Sequence, residues 1–186
     1  MPSDANATIY HGDCNEVLLD AVFPLVQYNQ YRRALCLLDP YDINLDWKVI
    51  ARAGEMGTID LFINFMVMDM NRNVLWRTPE RVSPQRRARM TAFWGDESWV
   101  GAVYDAAPPQ TSMAEALGVH DRPEKRDNDA VAEAFRQRLV KLAGFEYVPT
   151  PIPMRNRTNA TIYYLFFASH KPVAAKVVKH IFAKHS

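Results

Sequence analysis

The sequence predicts an α/β fold: a mostly parallel sheet with helices on both faces and an antiparallel strand pair near the C-terminus. Short apolar runs alternate with helical patterns in the first third of the chain, which is typical of βαβ units. Two further β-rich segments follow each other closely after residue 144. With 186 residues and 48% hydrophobic content, the chain can bury one core, so we expect a single domain over residues 1–186.

The first five elements follow from hydrophobic spacing. Residues 7–10 (ATIY) are predicted as a short strand, and residues 17–26 show the three- and four-residue spacing of an amphipathic helix. The apolar run 34–38 (ALCLL) is predicted as a strand buried on both faces. A helix then begins near Trp47 and ends at one of two glycines before the next apolar strand, 58–66.

The middle of the chain, residues 68–127, is predicted to be an insertion of short helices and loops. Six arginines and one acid fall between Arg72 and Arg89, and residues 120–128 (HDRPEKRDN) are strongly charged. A charge run of this kind is typical of a solvated helix face.

Regular structure is predicted again from Asn128, where a helix begins and runs to a stop near Gly144. Residues 145–154 contain three prolines, which indicates an edge strand, whereas 161–168 (TIYYLFFA) is predicted as a buried strand. The last helix begins at Pro172, with Val173, Val177 and Ile181 on one apolar stripe.

Composition excludes several classes of function. Lys+Arg is 22 and Asp+Glu is 21, so net charge favours no particular partner. The two cysteines form no CxxC or Cys/His cluster, so we expect no metal site and a reduced, cytoplasmic setting. No apolar run of about 18 residues exists, which argues against a membrane span, and the first residues lack the pattern of a signal peptide.

The strongest candidate site is Asp39-Pro40-Tyr41, directly after the apolar run 34–38. In open α/β sheets, ligands bind beyond the carboxyl ends of the strands. An acid and a backbone carbonyl can accept hydrogen bonds from a planar amine while the aromatic ring stacks on it. The alternative is a strand-end turn, in which Asp39 accepts backbone N–H bonds and Pro40 stops the strand.

Other candidate residues follow neighbouring strands. Asn64 and Phe65 end the next predicted strand and would form the floor of the same pocket, unless Asn64 only bonds buried backbone. Asp13 and Asn15 follow the predicted strand 7–10, where they can also cap the helix after it.

Arg86 and Arg87 lie in the arginine-rich run, near Trp76, Trp94 and Trp99. Arginines pair with phosphates and aromatic rings stack on bases, so this run is a candidate substrate-binding surface for nucleic acid. The alternative is a solvated helix face.

Several sequence segments, in their order and spacing, resemble the three-Cys-motif partner protein family (TcmP). The resemblance covers residue 7 to about residue 182. The matching segments are Gly12-Asp13-Cys14-Asn15, Leu37-Leu38-Asp39-Pro40-Tyr41, Trp47, residues 60–65 (DLFINF), residues 95–99 (GDESW) and residues 164–170 (YLFFASH).

The resemblance implies a Rossmann-like, methyltransferase-like domain and S-adenosylmethionine as cofactor. Asp39 and the Pro40 carbonyl would then orient a target amino group, such as that of a nucleic-acid base, and Tyr41 would stack on it. Asp13 and Asn15 would bind the cofactor. The sequence departs from the family at Asp42, where glycine is usual, and in lacking the glycine-containing nucleoside loop before the first strand.

That departure predicts an N-terminally incomplete domain, explained by a truncated reading frame, a split gene or a degenerate relative. Enzymatic activity would depend on the missing section being supplied. The alternatives are a non-catalytic partner of a three-cysteine, radical-type enzyme, or a nucleic-acid-binding module of phage or mobile-element origin. An apolar strand left at the sheet edge also predicts a homodimer through that edge.

Overall fold

The computed structural model describes residues 7–105 and 124–185, built around a four-stranded sheet of order β1-β2-β4-β3. The strands are β1 (Ala34–Leu38), β2 (Ile59–Phe65), β3 (Ile152–Arg155) and β4 (Thr161–Ala168). The helices are α1 (Cys14–Val17), α2 (Trp47–Met56), α3 (Val67–Asn73), α4 (Pro84–Trp94), α5 (Trp99–Val103), α6 (Asn128–Lys141) and α7 (Pro172–His185).

The strand pairings confirm the α/β class and correct the predicted sheet. β1 and β2 run parallel, joined by α2 as a crossover, with Ala34 opposite Ile59 and Leu38 opposite Ile63. β4 runs antiparallel to both β2 and β3, so the described sheet is mixed and not mostly parallel. β3 lies at the edge, as its proline content predicts, because Pro153 has no N–H to donate.

One face of the sheet carries the main core. Leu61, Ile63 and Phe65 alternate onto this face of β2 and are fully buried. Helices α2, α3, α4 and α6 contribute buried side chains to the same cluster. The predicted insertion therefore supplies part of the core: Trp94 and Trp99, at the end of α4 and the start of α5, are both 1% exposed. Residues 106–123 of that insertion lie outside the described residues.

Helix α7 packs on the other face of the sheet. Ala174, Val178 and Phe182 contact a second cluster that includes Phe62 and Phe167. The predicted stripe is wrong: Val173, Val177 and Ile181 are exposed. Each predicted residue lies one position, or about 100° of helix rotation, before a residue that packs on the sheet, so spacing alone could not distinguish the two stripes.

The N-terminal region differs from its prediction. Residues 7–10 are exposed and form no strand, because no described strand lies beside them to accept their backbone hydrogen bonds. The predicted helix 17–26 begins earlier, at α1, and continues as a π-helical segment, Leu18–Val22, and a 3-10 turn, Phe23–Leu25. Pro24 lies in that last turn, where its missing N–H ends the regular helix.

Strand β1 is not buried on both faces. Leu35 and Leu37 are 55% and 74% exposed, whereas Leu38 on the core face is buried. The prediction failed because β1 is an edge strand, and a five-residue apolar run does not reveal which of its faces a helix will cover.

Candidate functional site

Asp39 and Asn64 meet at the carboxyl edge of the parallel strands. The register that places Leu38 beside Ile63 brings these two residues together directly after β1 and near the end of β2. The Asn64 side-chain amide donates a hydrogen bond to Asp39 Oδ1 at 2.7 Å. A carboxylate oxygen accepts more than one bond, so Asp39 keeps capacity for a further donor.

Pro40 and Tyr41 turn the chain away from the sheet. Pro40 is half-buried, whereas the Tyr41 side chain is 88% exposed and free to stack on a planar group. The turn is closed by a bond from the Asn44 N–H to the Tyr41 carbonyl at 3.3 Å. Asp42 adopts a left-handed conformation (φ 57°), which glycine adopts without a steric penalty. This is the position at which the family resemblance implies glycine, and an aspartate tolerates the same backbone there.

A cavity of about 360 Å³ lies between α1 and β1 and reaches this turn. Ligand pockets span roughly 300–1,000 Å³, so this cavity has the size of a small one. Its wall is mainly apolar and includes Val17, Leu18, Val22 and Leu45, and its rim includes Gly12, Cys14, Asp39 and Pro40. Cys36 also lines it, and burial raises the pKa of the Cys36 thiol to about 11, so this thiol stays protonated near neutral pH.

Asp13 lies between Gly12 and Cys14, which both line the cavity. Its carboxylate caps α1 by accepting the Asn15 backbone N–H at 2.7 Å, and that bond lowers the pKa of Asp13. The side chain is therefore an ionised acceptor near neutral pH, exposed to solvent. Its role as a helix cap and a role in binding a nucleoside are compatible.

Asn15 is buried and both ends of its side-chain amide are used. Its nitrogen donates to the Asn44 carbonyl at 3.2 Å and its oxygen accepts from the Asp46 N–H at 2.7 Å. Asn15 therefore fixes the loop that follows Tyr41. It is placed to support the site rather than to bond a ligand itself.

The structure does not bring Phe65 to the site. Side chains alternate along β2, so Phe65 lies on the core face, opposite to the face of Asn64. It is fully buried and its ring packs against Phe93, Phe135 and Phe166.

Within the arginine-rich run 72–89, some side chains contact other parts of the fold and others are exposed to solvent. The Arg87 guanidinium lies 5.3 Å from the centroid of the Trp99 ring, and the Arg86 guanidinium donates to the Asn73 carbonyl at 3.5 Å. Since Trp94 and Trp99 are 1% exposed, neither ring is available to stack on a base.

Sequence reasoning missed Arg89, which joins α4 to the loop after Tyr41. Its Nε donates to the Ile43 carbonyl at 2.8 Å, and its Nη2 lies 2.7 Å from Asp46 Oδ1. The loop is thus held from one side by Asn15 and from the other by Arg89. No local signal marks Arg89, because its partners lie far from it along the chain.

Within the described ranges, no group of three or more His, Cys, Asp or Glu side chains is arranged to hold a metal ion. None of the described helices is long and apolar enough to cross a membrane.

Comparison with known proteins gives no relative for this arrangement: no family model matches the chain, and neither a curated protein nor a solved structure matches it significantly. The site's chemistry therefore has to be inferred from its geometry. The site consists of the Asp39 carboxylate bonded to Asn64, the backbone carbonyl of Pro40, the exposed ring of Tyr41 and the adjacent cavity.

Proposed function

We propose that the chain is a methyltransferase-like protein, similar to the three-Cys-motif partner proteins, whose acceptor site is formed by Asp39, Pro40, Tyr41 and Asn64. The observation that carries this proposal is the 2.7 Å bond between Asn64 and Asp39 at the shared carboxyl edge of β1 and β2. The parallel β1–β2 pair followed by the antiparallel β3–β4 pair is also the strand arrangement that the resemblance implies.

The acceptor is a planar group that carries an amine, such as a nucleic-acid base. Asp39, oriented by Asn64, accepts a hydrogen bond from that amine, and the Pro40 carbonyl can accept a second. Tyr41 stacks on the plane of the group. Positioning of this kind is the main contribution a protein can make to a transfer that needs no covalent enzyme intermediate.

S-adenosylmethionine is the proposed cofactor, and it would supply the methyl group. The adjacent cavity, with its apolar wall, suits the cofactor's uncharged parts, and Asp13, between the lining residues Gly12 and Cys14, offers an ionised acceptor. Cys36 takes no part as a nucleophile, because its thiol is kept protonated by burial.

The test is transfer of a labelled methyl group from S-adenosylmethionine to a single-stranded oligonucleotide that contains adenine and cytosine. Stacking on an aromatic ring contributes about 1–3 kcal/mol per base, so Tyr41→Ala should weaken oligonucleotide binding by roughly 5- to 150-fold. Tyr28→Ala is the matched control, since Tyr28 is 74% exposed and lies outside the site. Equal binding by the two variants would contradict the assigned role of Tyr41.

A second candidate function, nucleic-acid binding without catalysis, is favoured by a separate observation. Arg72, Arg77 and Arg81 are exposed, and no described acid lies within ion-pair distance of them. Unpaired arginines can neutralise phosphates and release counterions.

This second function predicts that Arg72→Glu together with Arg81→Glu reduces oligonucleotide affinity and flattens its salt dependence. Arg157→Glu is the control, because Arg157 is exposed in the turn between β3 and β4. An unchanged salt slope in the double variant would exclude this surface.

A further inference from the structure

The outer edge of β1 carries backbone groups that no described strand pairs with. The Ala34 N–H donates to the Thr58 carbonyl at 3.0 Å, and in a parallel pair alternate residues direct their polar groups to the neighbouring strand. Leu35 and Leu37 therefore direct their N–H and C=O groups away from β2. No described strand pairs with this edge.

The sheet face beside that edge is apolar and open. Leu35 and Leu37 are exposed on it, and α7 presents Val173, Val177 and Ile181, which are 70%, 54% and 48% exposed. The opposite flank of α7 borders a hollow formed with residues 146–149, which lead into β3. The exposed stripe of α7 therefore lies on the flank directed towards β1, the strand that carries the two leucines. Exposed apolar edges of this kind are sites of strand pairing between chains.

We propose that a second copy of this chain pairs with β1 in antiparallel orientation, about a two-fold axis at Cys36. In this register Leu35 lies opposite the partner's Leu37, and each such pair exchanges both of its N–H···O bonds. The leucines of both copies then share the sheet face on which α7 packs.

Charge selects this partner and this register. Arg33 immediately precedes β1 and Asp39 immediately follows it, so a two-fold axis at Cys36 places Arg33 opposite the partner's Asp39. Arg33 is exposed and has no ion pair with a described residue. Moving the axis to Leu35 or Leu37 would separate the charges, and an isologous interface gains each favourable pair twice.

The second copy also contributes to the candidate site. The partner's Arg33 would bond the carboxylate that already accepts a hydrogen bond from Asn64, and the partner's strand would lie beside Leu37 and Asp39, which line the cavity. Each copy thus completes the site of the other. The strand pairing itself does not depend on the methyltransferase proposal.

The first test is the mass of the full chain by analytical ultracentrifugation, which should show a dimer. Leu37→Lys should give a monomer with unchanged circular dichroism. Leu142→Lys should stay dimeric, because Leu142 is an exposed leucine (58%) that follows α6 and belongs to neither β1 nor α7. A wild-type monomer, or a dimer that survives Leu37→Lys, would overturn the proposal.

Charge exchange tests the register. Arg33→Asp places like charges opposite each other at two symmetric positions and should weaken dimerisation by about tenfold or more. The double variant Arg33→Asp with Asp39→Arg restores opposite charges and should recover most of that loss. If the double variant is no better than the single one, the register is wrong.

Cross-linking gives an independent test of the register. Opposite residues of a non-hydrogen-bonded pair have Cα atoms about 4.5 Å apart, which a disulfide can span. In a Cys14→Ser variant, the two Cys36 thiols should therefore form an intermolecular disulfide, with both protons and both electrons passing to added diamide. Oxidation should be run at alkaline pH, because burial raises the pKa of Cys36 to about 11. A dimer that forms no such disulfide would refute an axis at Cys36.

Discussion

Phe135 is the centre of the aromatic core, and its removal is the sharpest stability test. The side chain is fully buried on α6. It contacts five other rings, at centroid distances between 4.8 Å and 6.1 Å. These rings belong to Trp47, Phe65, Phe93, Trp94 and Phe166. Four elements, α2, β2, α4 and β4, therefore meet at this one side chain of α6.

The expected cost of Phe135→Ala follows from this packing. A buried Phe→Ala change costs about 3–5 kcal/mol through lost transfer free energy and the cavity left behind. Favourable ring pairs add about 0.5–1.5 kcal/mol each beyond burial, which places this site at the upper end, about 4–5 kcal/mol. Since domains are stable by only about 5–15 kcal/mol, a large part of the total free energy of unfolding would be lost.

Urea denaturation at 25 °C, followed by circular dichroism, measures this loss as a lower transition midpoint. Leu142→Ala is the control, because Leu142 follows the same helix but is 58% exposed, and its change should stay within about 0.5 kcal/mol. A loss below about 1.5 kcal/mol for Phe135→Ala would refute the proposed packing.

Two further predictions concern stability. Gly54→Ala should cost about 2 kcal/mol or more in urea denaturation, because its Cβ would lie 1.8 Å from a backbone oxygen, whereas Gly101→Ala, with open space around it, should be neutral or stabilising. Partial burial tends to raise the pKa of Asp96, but hydrogen bonds from Ser98 and Arg138 outweigh it, so the folded pKa lies below 3.8. The ionised Asp96 carboxylate therefore stabilises the folded state above about pH 3.8, and this contribution is lost as the pH falls through the lower pKa of the folded state. Asp96→Asn should reduce the loss of stability between about pH 5 and pH 2, and an unchanged pH profile would contradict the shift.

The part of the fold that could be predicted rests on local pattern. The run 34–38 ends at Asp-Pro, and the next strand ends near Asn64, so parallel pairing alone brings Asp39 and Asn64 to one edge. The prolines near β3 likewise predict its edge position. In both cases the sequence period and the turn residues agree with the tertiary structure.

The remaining features depend on which elements cover which face. Phe65 lies one residue from Asn64 but faces the core, because side chains alternate along β2. The exposure of Leu35 depends on where α7 lies, and α7 is set by contacts far away in the sequence. A short apolar run does not show which elements will pack against it in the folded chain.

The sequence did not predict that Asn15 and Arg89 support the site. Asn15 fits a helix-capping pattern, yet its side chain fixes a distant loop through Asn44 and Asp46. Arg89 belongs to a charge run typical of a solvated face, yet it bonds the same loop. Both contacts join segments that only the folded chain brings together.

Calorimetric titration of the full chain with S-adenosylmethionine shows whether this protein binds the proposed cofactor. We expect binding at micromolar affinity, weakened by Asp13→Ala and unchanged by Asp20→Ala. Gly12 and Cys14 on either side of Asp13 line the cavity, whereas neither Asp20 nor its chain neighbours do. No heat of binding up to millimolar cofactor would contradict the methyltransferase proposal. That result would favour a non-catalytic role, as a partner of a three-cysteine protein or as a nucleic-acid-binding module.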